Sequence, residues 1–306
     1  MVGAALLRIA AGCAAVAALA GLPGLADGPW AARVLGQARE RVIYVTVFDP
    51  ATNKPLETLT PDSFVIREDG VQREILRVTR ASSPLTVAIV VDNSHAVSPA
   101  INDLRKALTS FLTAIDGIGP VAIVTVADRP TVFADYTTSQ KALLDAAGRL
   151  FALPSSGATL IDGISEVAKG LAKREGDRAA IVVVATENTE FSHPHDQDVL
   201  EALRNSGAAA HAVVLLNQRA SYTTNEEKSR ATVLDRGPRE SGGIRMDILT
   251  SMSFEARLKD LASFLKAQHR VVYARPQQLI PPERIEVRAT RPGLEARGTV
   301  ARGQGE

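Results

Sequence analysis

The sequence predicts an α/β fold, a mostly parallel sheet with helices on both faces, joined to a small antiparallel β module. Three observations predict it. Four largely apolar runs, at 85–91, 121–126, 179–185 and 209–216, read as strands covered on both faces. Stretches with helical apolar spacing separate these runs, and strands alternating with helices build a parallel sheet. Ahead of the first run, residues 41–80 alternate with a period of two, the mark of antiparallel strands.

Composition narrows the function classes. The 306 residues allow one large domain or two of ordinary size. With 45% apolar and 23% charged residues the chain can bury a real core. A net charge of +1 excludes a strongly basic nucleic-acid binder. Aromatics at 4% argue against base-stacking or sugar-stacking clefts. The one cysteine, Cys13, lies in an N-terminal apolar stretch. The folded part therefore has no disulfide framework, cysteine zinc site, iron–sulfur cluster or thiol nucleophile.

Residues 1–26 read as a signal peptide: Arg8 precedes an apolar, small-residue run, with candidate cleavage sites after Ala20 and Ala26. That implies export, to a periplasmic or extracellular location. A retained membrane anchor is the alternative, although the run is short for a span and Pro23 interrupts it. A lipoprotein reading through Gly12-Cys13 fits poorly, because Ala10 stands where Leu is usual.

The elements follow in order. In the β module of residues 41–80, Val42, Tyr44 and Thr46 share one face and Ile43, Val45 and Val47 the other. Asp49 to Pro55 is a turn, and Phe64–Glu68 is a second strand closed by the hairpin dipeptide Asp69-Gly70. The partner strand runs from Val71 to Val78. The α/β domain spans 84–276. Ser98 and Pro99 suit the start of a helix whose buried stripe is Ile101, Leu104, Leu108, Phe111 and Ile115, with Gly117 ending it. Thr131–Tyr136 reads as an edge strand. Helices are predicted over 140–151, 160–174, 196–206 and 253–268, and His269–Ala274 as the last strand of the same sheet. Residues 217–250 are polar and read as an insertion loop, unusual at that length and hence functional or mobile. Residues 283–301 read as a C-terminal hairpin around Arg291-Pro292-Gly293, able to pair back onto the β module.

In an open parallel sheet the functional crevice lies beyond the carboxyl ends of the strands. Three predicted loops meet there: Asp92-Asn93-Ser94-His95-Ala96, Gly157-Ala158-Thr159 and Thr186-Glu187-Asn188. This set resembles the metal-ion-dependent adhesion site of von Willebrand factor A domains, which draws on Asp-x-Ser-x-Ser, a Thr and an Asp. The resemblance implies Asp92, Ser94, Thr159 and Glu187 as metal ligands and partner-binding residues. Mg²⁺ is the implied cation, since it prefers hard oxygen ligands, and an acidic side chain of a protein partner would complete the shell. Two departures weaken the match: Ala96 replaces the second hydroxyl, and Glu187 stands where Asp is usual. Beyond the domain, Leu59-Thr60-Pro61-Asp62-Ser63-Phe64, Arg67 to Gly70, Glu240-Ser241-Gly242-Gly243, His269 to Pro276 and the Arg-Pro-Gly at 291–293 are similar, in that order, to a bacterial VWFA-related family first defined in acidobacteria. The likeness spans about residues 41–301 and implies a fold more firmly than a job.

The resemblance implies an exported protein-recognition module and not an enzyme. Two rivals stand beside it. A metal-free scaffold of an envelope assembly would use Asp92, Ser94 and Thr159 only to satisfy loop and helix-entry backbone groups. A histidine-based metallo-hydrolase would use His95, His193 and His195, which fall on loops at the same edge; imidazoles suit transition metals. No Gly-x-Ser-x-Gly elbow, phosphate loop or His-Glu-x-x-His supports catalysis. His211 and His269 read as structural.

Overall fold

The computed structural model describes residues 38–217, 224–276, 280, 282 and 284–303. The proposed signal segment lies outside them. The first strands are β1 (Ala38–Asp49), β2 (Lys54–Pro55), β3 (Phe64–Glu68), β4 (Val71–Arg73) and β5 (Ile75–Arg80). Asp69 and Gly70, between β3 and β4, both take positive φ (47° and 82°), the backbone that a two-residue hairpin needs.

Next come the alternating elements: β6 (Thr86–Val91), α1 (Ile101–Ala114), β7 (Val121–Val126), β8 (Pro130–Thr137), α2 (Gln140–Arg149), α3 (Leu160–Ala172), β9 (Ala179–Thr186), α4 (Asp196–Ser206), β10 (Ala209–Leu215), α5 (Asn225–Ser241), β11 (Arg245–Ile248) and α6 (Ser253–Lys266). Their strands form a six-stranded sheet in the order β11-β10-β9-β6-β7-β8, parallel except for β8. Apolar side chains leave both faces of these strands, so both need a cover. Helices α1, α2 and α6 pack on one face. Helices α3, α4 and α5 pack on the other. The chain leaves β6 toward β7 on one side and returns through β9 on the other. The β6–β9 boundary is therefore the switch point at which a crevice opens.

Three strands complete the chain: β12 (His269–Pro276), β13 (Ile285–Ala289) and β14 (Glu295–Val300). They correct several sequence expectations. β12 is not in the parallel sheet. It runs antiparallel between β1 and β5, in a five-stranded sheet that also holds β2 and β14. β13 and β14 do not form a hairpin with each other. β14 pairs with β1, and β13 joins β3 and β4 in a three-stranded sheet. The 41–80 segment is thus half of a two-sheet sandwich that the C-terminal strands complete, around Ile43, Val45, Phe64, Ile66, Val271 and Tyr273. A module this short cannot bury enough apolar surface alone.

The 217–250 segment is also corrected. Residues 218–223 lie outside the described part, but 225–241 is helix α5 and 245–248 is an edge strand of the main sheet. A capping box at Thr224 and Glu227 starts the helix. At its far end, a Cβ on Gly243 would lie 1.7 Å from the Ala210 carbonyl oxygen, so only glycine lets the chain pass β10 there. Helix α1 begins at Ile101, after a 3-10 turn over His95–Ala100 that absorbs Ser98 and Pro99.

Candidate functional site

The loops after β6, β7, β9 and β10 and before α3 gather at the carboxyl edge of the sheet. Backbone bonds tie them into one platform. Leu153 N donates to Asn93 O (2.8 Å), Phe191 N to Ala158 O (2.8 Å) and His95 N to the Ser156 hydroxyl (3.2 Å). On this platform Phe151 is 51% exposed and Phe191 58%. Phe191 lies over Gly157, where a Cβ would strike its ring at 2.0 Å.

Asp92 sits beneath the platform with no exposed surface. Its Oδ1 accepts from Ser94 N (2.9 Å), and its Oδ2 accepts from Thr186 N (3.4 Å) and Asn188 Nδ2 (3.2 Å). Ser94 Oγ accepts from the same Asn188 amide at 2.7 Å. Asp92 and Ser94 are therefore brought together. Thr159 and Glu187 turn elsewhere. The Thr159 hydroxyl donates to Ala127 O (3.0 Å), and Glu187 Oε2 accepts from Asn217 N (2.8 Å). Ala96 is exposed on the 3-10 turn.

The charge facing Asp92 comes from a residue that sequence reading missed. Arg230 of α5 is only 4% exposed, and its Nη2 lies 3.8 Å from Asp92 Oδ2. Its guanidinium also donates to Asn188 Oδ1 and O and to Thr186 O. Its Nε lies 3.6 Å from Oε2 of a second buried acid, Glu190. Glu190 Oε1 accepts from the Ser192 hydroxyl and from Ile161 N at the start of α3. Burial pushes the Glu190 carboxyl above its ordinary value, and Arg230 only partly offsets this. One guanidinium thus faces two dry carboxylates. The available signal was register: Arg230, Val233, Leu234, Gly237 and Pro238 are the buried positions of α5, spaced i, i+3, i+4, i+7 and i+8, so the cation stands in the apolar stripe.

These residues do not fit Mg²⁺. The ion wants near-octahedral oxygens at short range. Here Ala96 supplies none, one amide N–H₂ occupies both Ser94 Oγ and Asp92 Oδ2, and a guanidinium stands on the carboxylate. The histidine alternative is not assembled either. His95, His193 and His195 are exposed, and among the described residues no three His, Cys, Asp or Glu side chains are placed to share a metal.

Comparison with known proteins agrees with the topology. Residues 87–189 match the family model of the von Willebrand factor type A domain. The chain carries a von Willebrand factor type A domain. No curated protein matches the sequence. Among solved structures, proximal thread matrix protein 1 from the mussel byssus aligns with a TM-score of 0.50 at 13% identity, over 66% of this chain and 51% of that one. The von Willebrand factor type A protein of Catenulispora acidiphila aligns at 0.48 and 12%, over 87% and 63%. An aerotolerance-related membrane protein from Bacteroides fragilis NCTC 9343 aligns at 0.44 and 14%, over 58% and 98%. Around this type A domain the chain adds the sandwich of β1–β5 and β12–β14. No helix among the described residues is long and apolar enough to cross a membrane.

Proposed function

We propose that the chain is an exported protein-recognition module whose type A domain binds a partner through the loop platform at the carboxyl edge of its six-stranded sheet. Export rests on the apolar N-terminal run after Arg8. Recognition rests on one observation above all: Phe151 and Phe191 stand half out of a hydrogen-bonded platform over the switch point. Exposed aromatics on a rigid base are the groups that anchor interfaces, because they bury large area at low entropic cost.

Photo-cross-linking tests this reading. A photoreactive phenylalanine is placed at 151, at 191 and, as a control, at the exposed helix position 141, in the full chain made in its native host. A discrete adduct shared by 151 and 191 and missing at 141 is expected. Identical patterns at all three positions, or no adduct at 151 and 191, would contradict it.

A further inference from the structure

We infer that Arg230 is a resident cation, doing inside this domain what a bound divalent ion would otherwise do, so that the face is built and held without metal. Four observations carry this. The guanidinium approaches the first acid of the loop set, Asp92, at 3.8 Å from Oδ2, the oxygen that Thr186 N and the Asn188 amide also reach. It reaches the third loop through Thr186 O and both oxygens of Asn188. The Asn188 amide then spans Ser94 and Asp92, so that one chain of contacts ties α5 to the loops after β9 and β6. Finally, Arg230 is supplied by a helix of the main sheet's own cover, in a buried stripe that continues through Val233 and Leu234, so the charge is fixed by packing. A guanidinium suits this post. It presents a planar fan of donors to several oxygens at once. A metal would have to enter beside a fixed positive charge, with Asp92 already shared.

The consequence for recognition rests on the reading above. A partner's acidic side chain has no open coordination position to fill, and Arg230 itself is closed off from solvent. The partner is gripped by the rim instead, through apolar contact with Phe151 and Phe191.

Mn²⁺ binding, followed by its paramagnetic resonance signal, tests the resident cation apart from any partner. The intact chain should leave the free-ion signal unchanged at millimolar Mn²⁺. Ala96→Ser restores the missing hydroxyl at an exposed position where folding is not at risk, and it should also bind no Mn²⁺, because Arg230 remains. Arg230→Ser combined with Ala96→Ser should gain saturable binding, read as loss of the free-ion signal at Mn²⁺ concentrations where the intact chain shows none, and Asp92→Asn in that background should abolish it. Saturable binding by the intact chain or by Ala96→Ser alone would overturn the inference. So would a folded Arg230→Ser, Ala96→Ser chain that gains none. Failure of the cross-linking experiment with these metal results intact would remove the partner reading and leave the resident cation standing.

Discussion

Arg230→Met is the perturbation whose magnitude the structure fixes best. Met keeps the stem volume in the α5 stripe and removes the charge. Asp92 and Glu190 are then left buried without a cation, and taking one partner from a buried ion pair costs about 3–5 kcal/mol. Glu190 limits the damage by taking up a proton, since burial already holds its carboxyl above the ordinary range. The sign follows. A carboxyl with a raised folded pKa contributes stability below its unfolded pKa and loses it as pH rises through the folded value. Without Arg230 the folded value rises further, so the gap between variant and wild type widens with pH, by at most about 1.4 kcal/mol per pH unit. Urea unfolding should therefore show a loss of about 3–5 kcal/mol at pH 7.5, smaller by about 1–2 kcal/mol at pH 5. Adding Glu190→Gln to Arg230→Met should recover part of the loss at pH 7.5, as expected for coupled neighbours. A loss under about 1 kcal/mol at pH 7.5, or a gap that ignores pH, would refute the view that the guanidinium neutralises these acids.

Three further predictions follow from the packing. His211 is fully buried, its Nδ1 accepts from Ile244 N (3.2 Å), and burial drops its pKa to about 3. Its neutral ring stabilises the fold above the unfolded pKa and that contribution fades as pH falls, so the wild type should lose about 2 kcal/mol more than His211→Gln between pH 7 and 5; parallel pH profiles in urea would contradict this. Gly243→Ala forces a Cβ against the Ala210 carbonyl and should destabilise by about 3 kcal/mol in thermal unfolding, whereas an unchanged midpoint would show that the two backbones do not meet. Thr224→Ala removes the capping box of α5 and should cost about 1 kcal/mol, read as faster amide exchange in residues 225–228; unchanged exchange there would count against the cap.

Much of the fold is legible in the sequence because the parallel strands are apolar on both faces. The runs at 85–91, 121–126, 179–185 and 209–216 correspond to β6, β7, β9 and β10. Helix α5 was hidden because its buried stripe opens with a cation and ends in Gly237 and Pro238, residues that ordinarily mark loops. Strand β12 misled for the opposite reason. Its Val271, Val272 and Tyr273 are all buried, but Val271 and Tyr273 lie in the sandwich core and Val272 in a small cluster with Val42 and Tyr44, not in the parallel sheet. At the site, Asp92 and Ser94 were legible from their spacing after a strand. Glu190 and Arg230 were not, since charged residues are read as solvated unless their register is counted.

Thermal unfolding of the intact chain with EDTA, and then with millimolar Mg²⁺ or Mn²⁺, tests the central claim most directly. A cation bound only to the folded state at about 100 times its Kd would add about 2.7 kcal/mol and raise the midpoint by several degrees. Because Arg230 already supplies the charge beside Asp92, the curves should superimpose. A midpoint that falls with EDTA and rises again with either metal would contradict the account.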